Sequence, residues 1–89
     1  GTYSLYALED AGEYIDNATL VSLDMDGALL ITFNGDGTGV ISTEGEEVTF
    51  TYDDTTISDA DGFTYEYVIE DGMLKVDVGN GQIFHCRKQ

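Results

Sequence analysis

Three kinds of side chain in this chain could do chemistry: a histidine beside a cysteine near the end, aspartate pairs in glycine-containing loops, and tyrosines at alternate positions. His85 and Cys86 are the only residues of their types. Consecutive residues on a strand point to opposite faces, so the two do not form a nucleophile and its base. His85 reads as a surface residue. Cys86, in the last apolar stretch, reads as a small buried hydrophobe rather than a reactive thiol, and with no second cysteine there is no internal disulfide.

The pairs Asp24/Asp26, Asp53/Asp54 and Asp59/Asp61 offer the hard oxygen ligands that calcium takes. The spacing does not fit the twelve-residue calcium loop. With Asp24 and Asp26 at its third and fifth positions, the twelfth is Phe33, where a bidentate carboxylate is required. Asp-Gly turns call for the same residues on backbone grounds, so no metal site is assigned. Two carboxylates across a cleft could cleave a glycosidic bond. Among 18 acidic residues some pair always meets that spacing, so no catalytic residue is assigned and no cofactor is implied.

The tyrosines are the better lead. Tyr3, Tyr52, Tyr65 and Tyr67 fall on expected inward faces, and a buried phenol must find a hydrogen-bond partner. With Phe50 they form a candidate ligand-binding set, centred on a small apolar cleft near Phe50, Tyr52, Tyr65 and Tyr67. The competing reading packs the rings and brings only the hydroxyls out at a rim.

Positioning these residues falls to a run of short strands. Apolar and polar residues alternate with a period of two, and turn signals recur every eight to twelve residues. Thr2 to Leu8 predicts the first strand, with Tyr3, Leu5 and Ala7 on one face. Glu9 to Gly27 breaks the rhythm; Asp16 or Asn17 can cap a helix of at most two turns, whose Leu20, Leu23 and Met25 must bury against the sheet and cover one barrel end. Strands then follow at Leu29 to Asn34, Thr38 to Ser42, Glu47 to Tyr52 and Thr55 to Ser58. Val48, Phe50 and Tyr52 point inward, and Gly39 signals a bulge or a close backbone approach. Three more strands, Phe63 to Ile69, Met73 to Val78 and Gln82 to Arg87, complete the set. Phe63, Tyr65, Tyr67 and Ile69 share the inward face of the first of these, and the last is read with Phe84 and Cys86 inside, Ile83 and His85 outside.

The fold class that results is all-β: a single domain over residues 1–89, forming a small up-and-down antiparallel barrel of about eight short strands with one short helix or loop after the first. No apolar run approaches the 18 residues of a spanning helix, and no signal peptide is visible. Net charge is −15, with Lys75, Arg87 and Lys88 the only permanent side-chain cations. Such a surface repels nucleic acid and anionic membrane. Self-repulsion also opposes the compact state, so the melting midpoint should rise from low to high NaCl; a midpoint indifferent to salt counts against this.

Gly1-Thr2-Tyr3-Ser4-Leu5, the hairpin from Phe33 to Gly39 (FNGDGTG), the turn Asp53-Asp54-Thr55-Thr56-Ile57 and the closing strand together resemble the small lipocalin-like domains of secreted bacterial lipoproteins. In that family the start is more often Gly-Thr-Trp, and here Tyr3 holds the tryptophan place. The resemblance implies an extracytoplasmic, cell-surface setting, tethered to the membrane only through a lipid-bearing cysteine upstream of this segment. It implies no activity. The expectation is a non-enzymatic module that binds a small apolar ligand or a partner segment at one barrel end; the alternative is a structural or protein-interaction domain with a filled barrel.

Overall fold

The computed structural model describes residues 1–43, 45–60, 62–79 and 81–89. The chain forms β1 (Thr2–Asp10), β2 (Glu13–Ile15), α1 (Asn17–Ser22), β3 (Leu30–Phe33), β4 (Thr38–Thr43), β5 (Glu46–Tyr52), β6 (Thr56–Asp59), β7 (Thr64–Glu70), β8 (Met73–Gly79) and β9 (Gln82–Lys88). From β3 to β9 each strand pairs antiparallel with the next; β3 also pairs with β1, and β9 returns to β1, closing an eight-stranded up-and-down barrel. Closure removes the free edges that a short acidic sheet would otherwise expose. One small strand was not anticipated. β2 pairs with Leu8 to Asp10 of β1, on the edge of β1 that β3 leaves after Ser4.

Alternation sends one face of every barrel strand into a common core that includes Tyr3, Leu5, Ile31, Phe33, Ile57 and Val76. Tyr65 and Phe84 pack against it. The inward phase of β1 changes part way. Its pairing with β9 skips Tyr6, so Ala7 lies opposite His85 and Leu8 opposite Phe84. Ala7 therefore shares the outer phase of His85, although the alternation predicted it inside with Tyr3 and Leu5; one extra residue in a bulge shifts everything after it by one face. The reading of β9 holds, with Cys86 in the core and Phe84 packed against it.

Asp16 caps α1, accepting a 2.9 Å hydrogen bond from the Thr19 amide. Leu20 is fully buried in the core. Leu23 and Met25 are not: they are 57% and 39% exposed. The helix stops at Ser22 and the chain reverses through Asp24 at φ 58°, so side chains after that point leave the face that Leu20 presents. Phe63 and Ile69 also miss the core, at 63% and 43% exposure. Phe63 lies in the connection before β7, and Ile69, though in register with Leu74, sits at the last turn of the β7–β8 hairpin. Val48 pairs with Ile41 on the inner phase but near the start of β5, and remains exposed at the barrel mouth.

Gly39 is a close approach rather than a bulge, for β3–β4 and β4–β5 pair without a register shift and the Phe50 ring occupies the place of its missing side chain. The two-residue turn Asp71-Gly72 has φ of 53° and 77°, the left-handed pair that a type I′ hairpin requires. The predicted turns through Glu44, Asp61 and Asn80 lie outside the described residues, as does half of the Asp59/Asp61 pair.

Three exposed aspartates tie turns and caps together. Asp36 accepts from the hydroxyl and amide of Thr38 at 2.6 and 3.0 Å, and Asp53 from the amides of Thr55 and Thr56 at 2.9 and 2.8 Å. The Thr38 hydroxyl and then its amide hold the Asp36 carboxyl below its ordinary value, the Thr55 and Thr56 amides do so for Asp53, and Thr19 does so for Asp16. A carboxylate whose folded pKa lies below the unfolded value, about 4, stabilises above that value and loses its contribution as pH falls through the folded one. Relief of the −15 net charge acts in the opposite sense. Urea midpoints between about pH 5 and pH 2 should therefore fall more gently for Asp53→Asn than for the parent chain; parallel curves would refute the assignment.

Candidate functional site

The interior is built around Phe33. Its ring meets Tyr3 at 5.8 Å, Phe50 at 5.6 Å, Tyr52 at 4.9 Å and Tyr67 at 5.5 Å between centroids, three of them edge-on. Phe50 and Tyr67 also each approach Tyr52, at 6.1 and 6.5 Å. Edge-on and tilted rings at these separations pack favourably as well as burying area. Of the five candidate residues, Tyr3, Phe50, Tyr52 and Tyr67 thus come together through a sixth that the ligand-binding set did not include. Tyr65 packs against the core from β7.

The phenol oxygens of Tyr52, Tyr65 and Tyr67 are spoken for at the rims. Tyr52 accepts a hydrogen bond from the Gly35 amide at 3.1 Å, and Tyr67 donates to the Asp53 carbonyl. Both bonds fall at the barrel end that carries the β3–β4 and β5–β6 turns, and they brace those turns from inside. At the other end of β6, Tyr65 donates to Asp59 Oδ2 at 3.1 Å, and Asp59 Oδ1 accepts from the Phe63 amide at 3.0 Å. Burial raises the Tyr67 phenol above its ordinary pKa, with Tyr52 and then Asp53 and Asp54 adding to the effect, so it stays a neutral donor at physiological pH.

A hollow of about 430 Å³ lies beside the expected cleft, between Asn34, Thr38, Thr49, Thr51 and Ser58. Of the five candidates only Phe50 borders it, and that ring is 3% exposed. Tyr52, Tyr65 and Tyr67 do not line it.

A second arrangement arises outside the barrel, where the last strand closes against the first. His85 faces outward yet is only 7% exposed, so the expected surface histidine is a covered one. Its Nε2 lies 2.9 Å from Glu9 Oε2, across 76 residues of sequence. Tyr14 of β2 stands edge-on to the imidazole at 5.6 Å and Tyr6 of β1 at 6.4 Å. β2 supplies the cover: its pairing with β1 sets Tyr14 opposite Glu9, directly over the pair. Asn17 fastens this region by donating to the Tyr6 carbonyl at 3.0 Å and to Asp26 Oδ1 at 2.7 Å. Burial and then Tyr14 raise the Tyr6 phenol.

Sequence reasoning missed this cluster because Glu9 was assigned to an irregular segment. The one clue was the outward phase of both first and last strands in a chain expected to close on itself. Chemically the pair orients an imidazole, and the thiol next to it in sequence lies on the opposite face. Cys86 points into the core, and burial pushes its thiol up to about 12. The thiol should therefore not react with Ellman's reagent at pH 8 in the native state and should react stoichiometrically in urea; fast native labelling would show the core to be open. Among the described residues, no three His, Cys, Asp or Glu side chains gather to hold a metal ion. Comparison of the chain with protein-family profiles, curated proteins and solved structures gives no match in any of the three.

Proposed function

We propose that the protein is a non-enzymatic, extracytoplasmic β-barrel module that works through its outer surface, as an interaction domain of a larger surface lipoprotein. The observation that carries this reading is the engagement of Phe33 with four other rings at the barrel centre. Rings that satisfy one another, and phenols that brace turns, leave the interior a structural task. Absence of catalysis is supported by the opposite facing of His85 and Cys86 and by the protonated state of the thiol. The lipoprotein setting rests on the likeness of the Gly1 to Leu5 start, the FNGDGTG hairpin and the closing strand to lipocalin-like domains.

Native mass spectrometry of protein purified without a lipid-stripping step, with a fluorescent fatty-acid titration, tests the reading. Bare chain mass and no saturable fluorescence are expected. A stoichiometric hydrophobic adduct, lost on Phe50→Trp or Tyr67→Trp substitution, would instead place an apolar ligand at the barrel end.

A further inference from the structure

The register of β7, β8, β9 and β1 lays three cross-strand rows on the outer face: Glu66–Asp77–Ile83–Glu9, Val68–Lys75–His85–Ala7 and Glu70–Met73–Arg87–Ser4. Between the second and third rows opens a hollow of about 210 Å³. At the liquid volume of water this holds about seven molecules, the bulk of one leucine. Val68 and Met73 supply apolar wall and Tyr6 a ring on the β1 side. Lys75 and His85 border the hollow in one row, Glu70 in the next row and Asp71 in the turn beyond it.

Lys75 is, among the described residues, the one lysine or arginine that borders this hollow. It is exposed, and among the described residues it pairs with no carboxylate, although the sequence carries 18 acids. The imidazole facing it is already taken by Glu9. A cation and two carboxylates around one partly apolar hollow are complementary to a molecule bearing an anion and a cation on a short apolar body. Overall neutrality also matters, because a net charge of −15 repels a simple anion before it can reach Lys75.

We propose that this hollow binds a free α-amino acid with an apolar side chain, its carboxylate on Lys75, its ammonium on Glu70 and Asp71, and its side chain against Val68 and Met73. The proposal rests on the reading of the outer surface as the working one, and the two fail separately. An interior ligand appears as an adduct in native mass spectrometry, whereas the outer site is read by amide shifts at its own residues.

The test is a titration of the ¹⁵N-labelled protein with L-leucine, N-acetyl-L-leucine and L-leucinamide, followed by amide chemical shifts. Leucine should shift residues 68–75 and His85 saturably. Each analogue, lacking one charge, should bind about tenfold more weakly, the loss expected when one charge-assisted contact is removed. Lys75→Gln, at an exposed position, should keep the parent melting midpoint, weaken leucine about tenfold and abolish the preference of leucine over leucinamide. No saturable shift up to the solubility of leucine would overturn the proposal, and so would equal binding of all three compounds, which needs only apolar contact. The ligand series on the parent chain decides the matter even if a variant folds poorly.

Discussion

Phe33→Ala should destabilise the domain by about 4 kcal/mol, a large part of the roughly 5–15 kcal/mol that holds a domain of this size folded. Phe33 is 8% exposed and touches four aromatic rings, so its removal leaves a cavity lined by groups that lose their edge contacts together. The effect should reach the rim. Tyr52 and Tyr67 hold the turns after β3 and β5 through Gly35 and Asp53, and both rings lean on Phe33. Hydrogen exchange at residues 35 and 55–56 should therefore accelerate beyond what global destabilisation explains. Urea unfolding followed by tyrosine fluorescence measures the stability change, and Phe33→Leu, which keeps most of the apolar volume, should cost clearly less. A loss below about 1 kcal/mol for the alanine variant would show that the centre is loosely filled, and would remove the main support for the proposed function.

Gly39→Ala is the second large effect, and it acts by overfilling. A Cβ built on Gly39 lies 2.3 Å from Phe50 Cζ, 2.7 Å from Phe50 Cε1 and 2.4 Å from the Thr32 carbonyl oxygen. Inside the barrel the ring is hemmed by its neighbours Phe33 and Tyr52, at 5.6 and 6.1 Å. The carbonyl belongs to β3, whose ladder to β4 runs from Leu30 to Phe33, so it cannot retreat without breaking pairing. Overpacking of this kind costs about 3 kcal/mol. For a domain near this length the melting midpoint should fall by about 15 °C. Phe50→Leu in the same chain should recover only part of the loss, because it clears the ring and leaves the Thr32 oxygen in place. Full recovery would show that the backbone contact is relieved by a small shift of β4.

Much of the barrel is legible in the sequence. Each of the eight expected strands has a counterpart among the barrel strands, because alternation with a period of two is the direct imprint of a sheet with one buried face. The start of the helix was legible to within one residue, Asp16 or Asn17, for a similar reason: the capping bond, made by Asp16, spans three residues and depends on nothing distant. The misplacements cluster where local pattern and position along the barrel disagree. Ile69 and Val48 keep the expected phase but stand near strand ends, where the barrel no longer encloses them. Leu23 and Met25 are apolar and close to a buried helix, yet the chain turns before they reach the core.

The candidate sites divide along the same line. Which tyrosines face inward was readable, since phase is local; that their rings close on Phe33 while their hydroxyls serve the turns was not, since this depends on how four strands converge. Ala7 shows the limit most clearly. Nothing in Thr2 to Leu8 marks the bulge at Tyr6; it appears only in the pairing with β9, and it carries Ala7 to the outer face and Leu8 inward.

Composition, alternation and turn residues by themselves determined an all-β, strongly acidic chain and turns such as Asp71-Gly72, because those properties are set by neighbours within a few residues. Only the tertiary structure decided that β9 meets β1, that β2 covers His85 and Glu9, and that Lys75 faces a hollow bounded by Glu70 and Asp71. Those arrangements join residues as far apart as Tyr3 and Lys88, and closure of the barrel, rather than any local preference, is what brings them together.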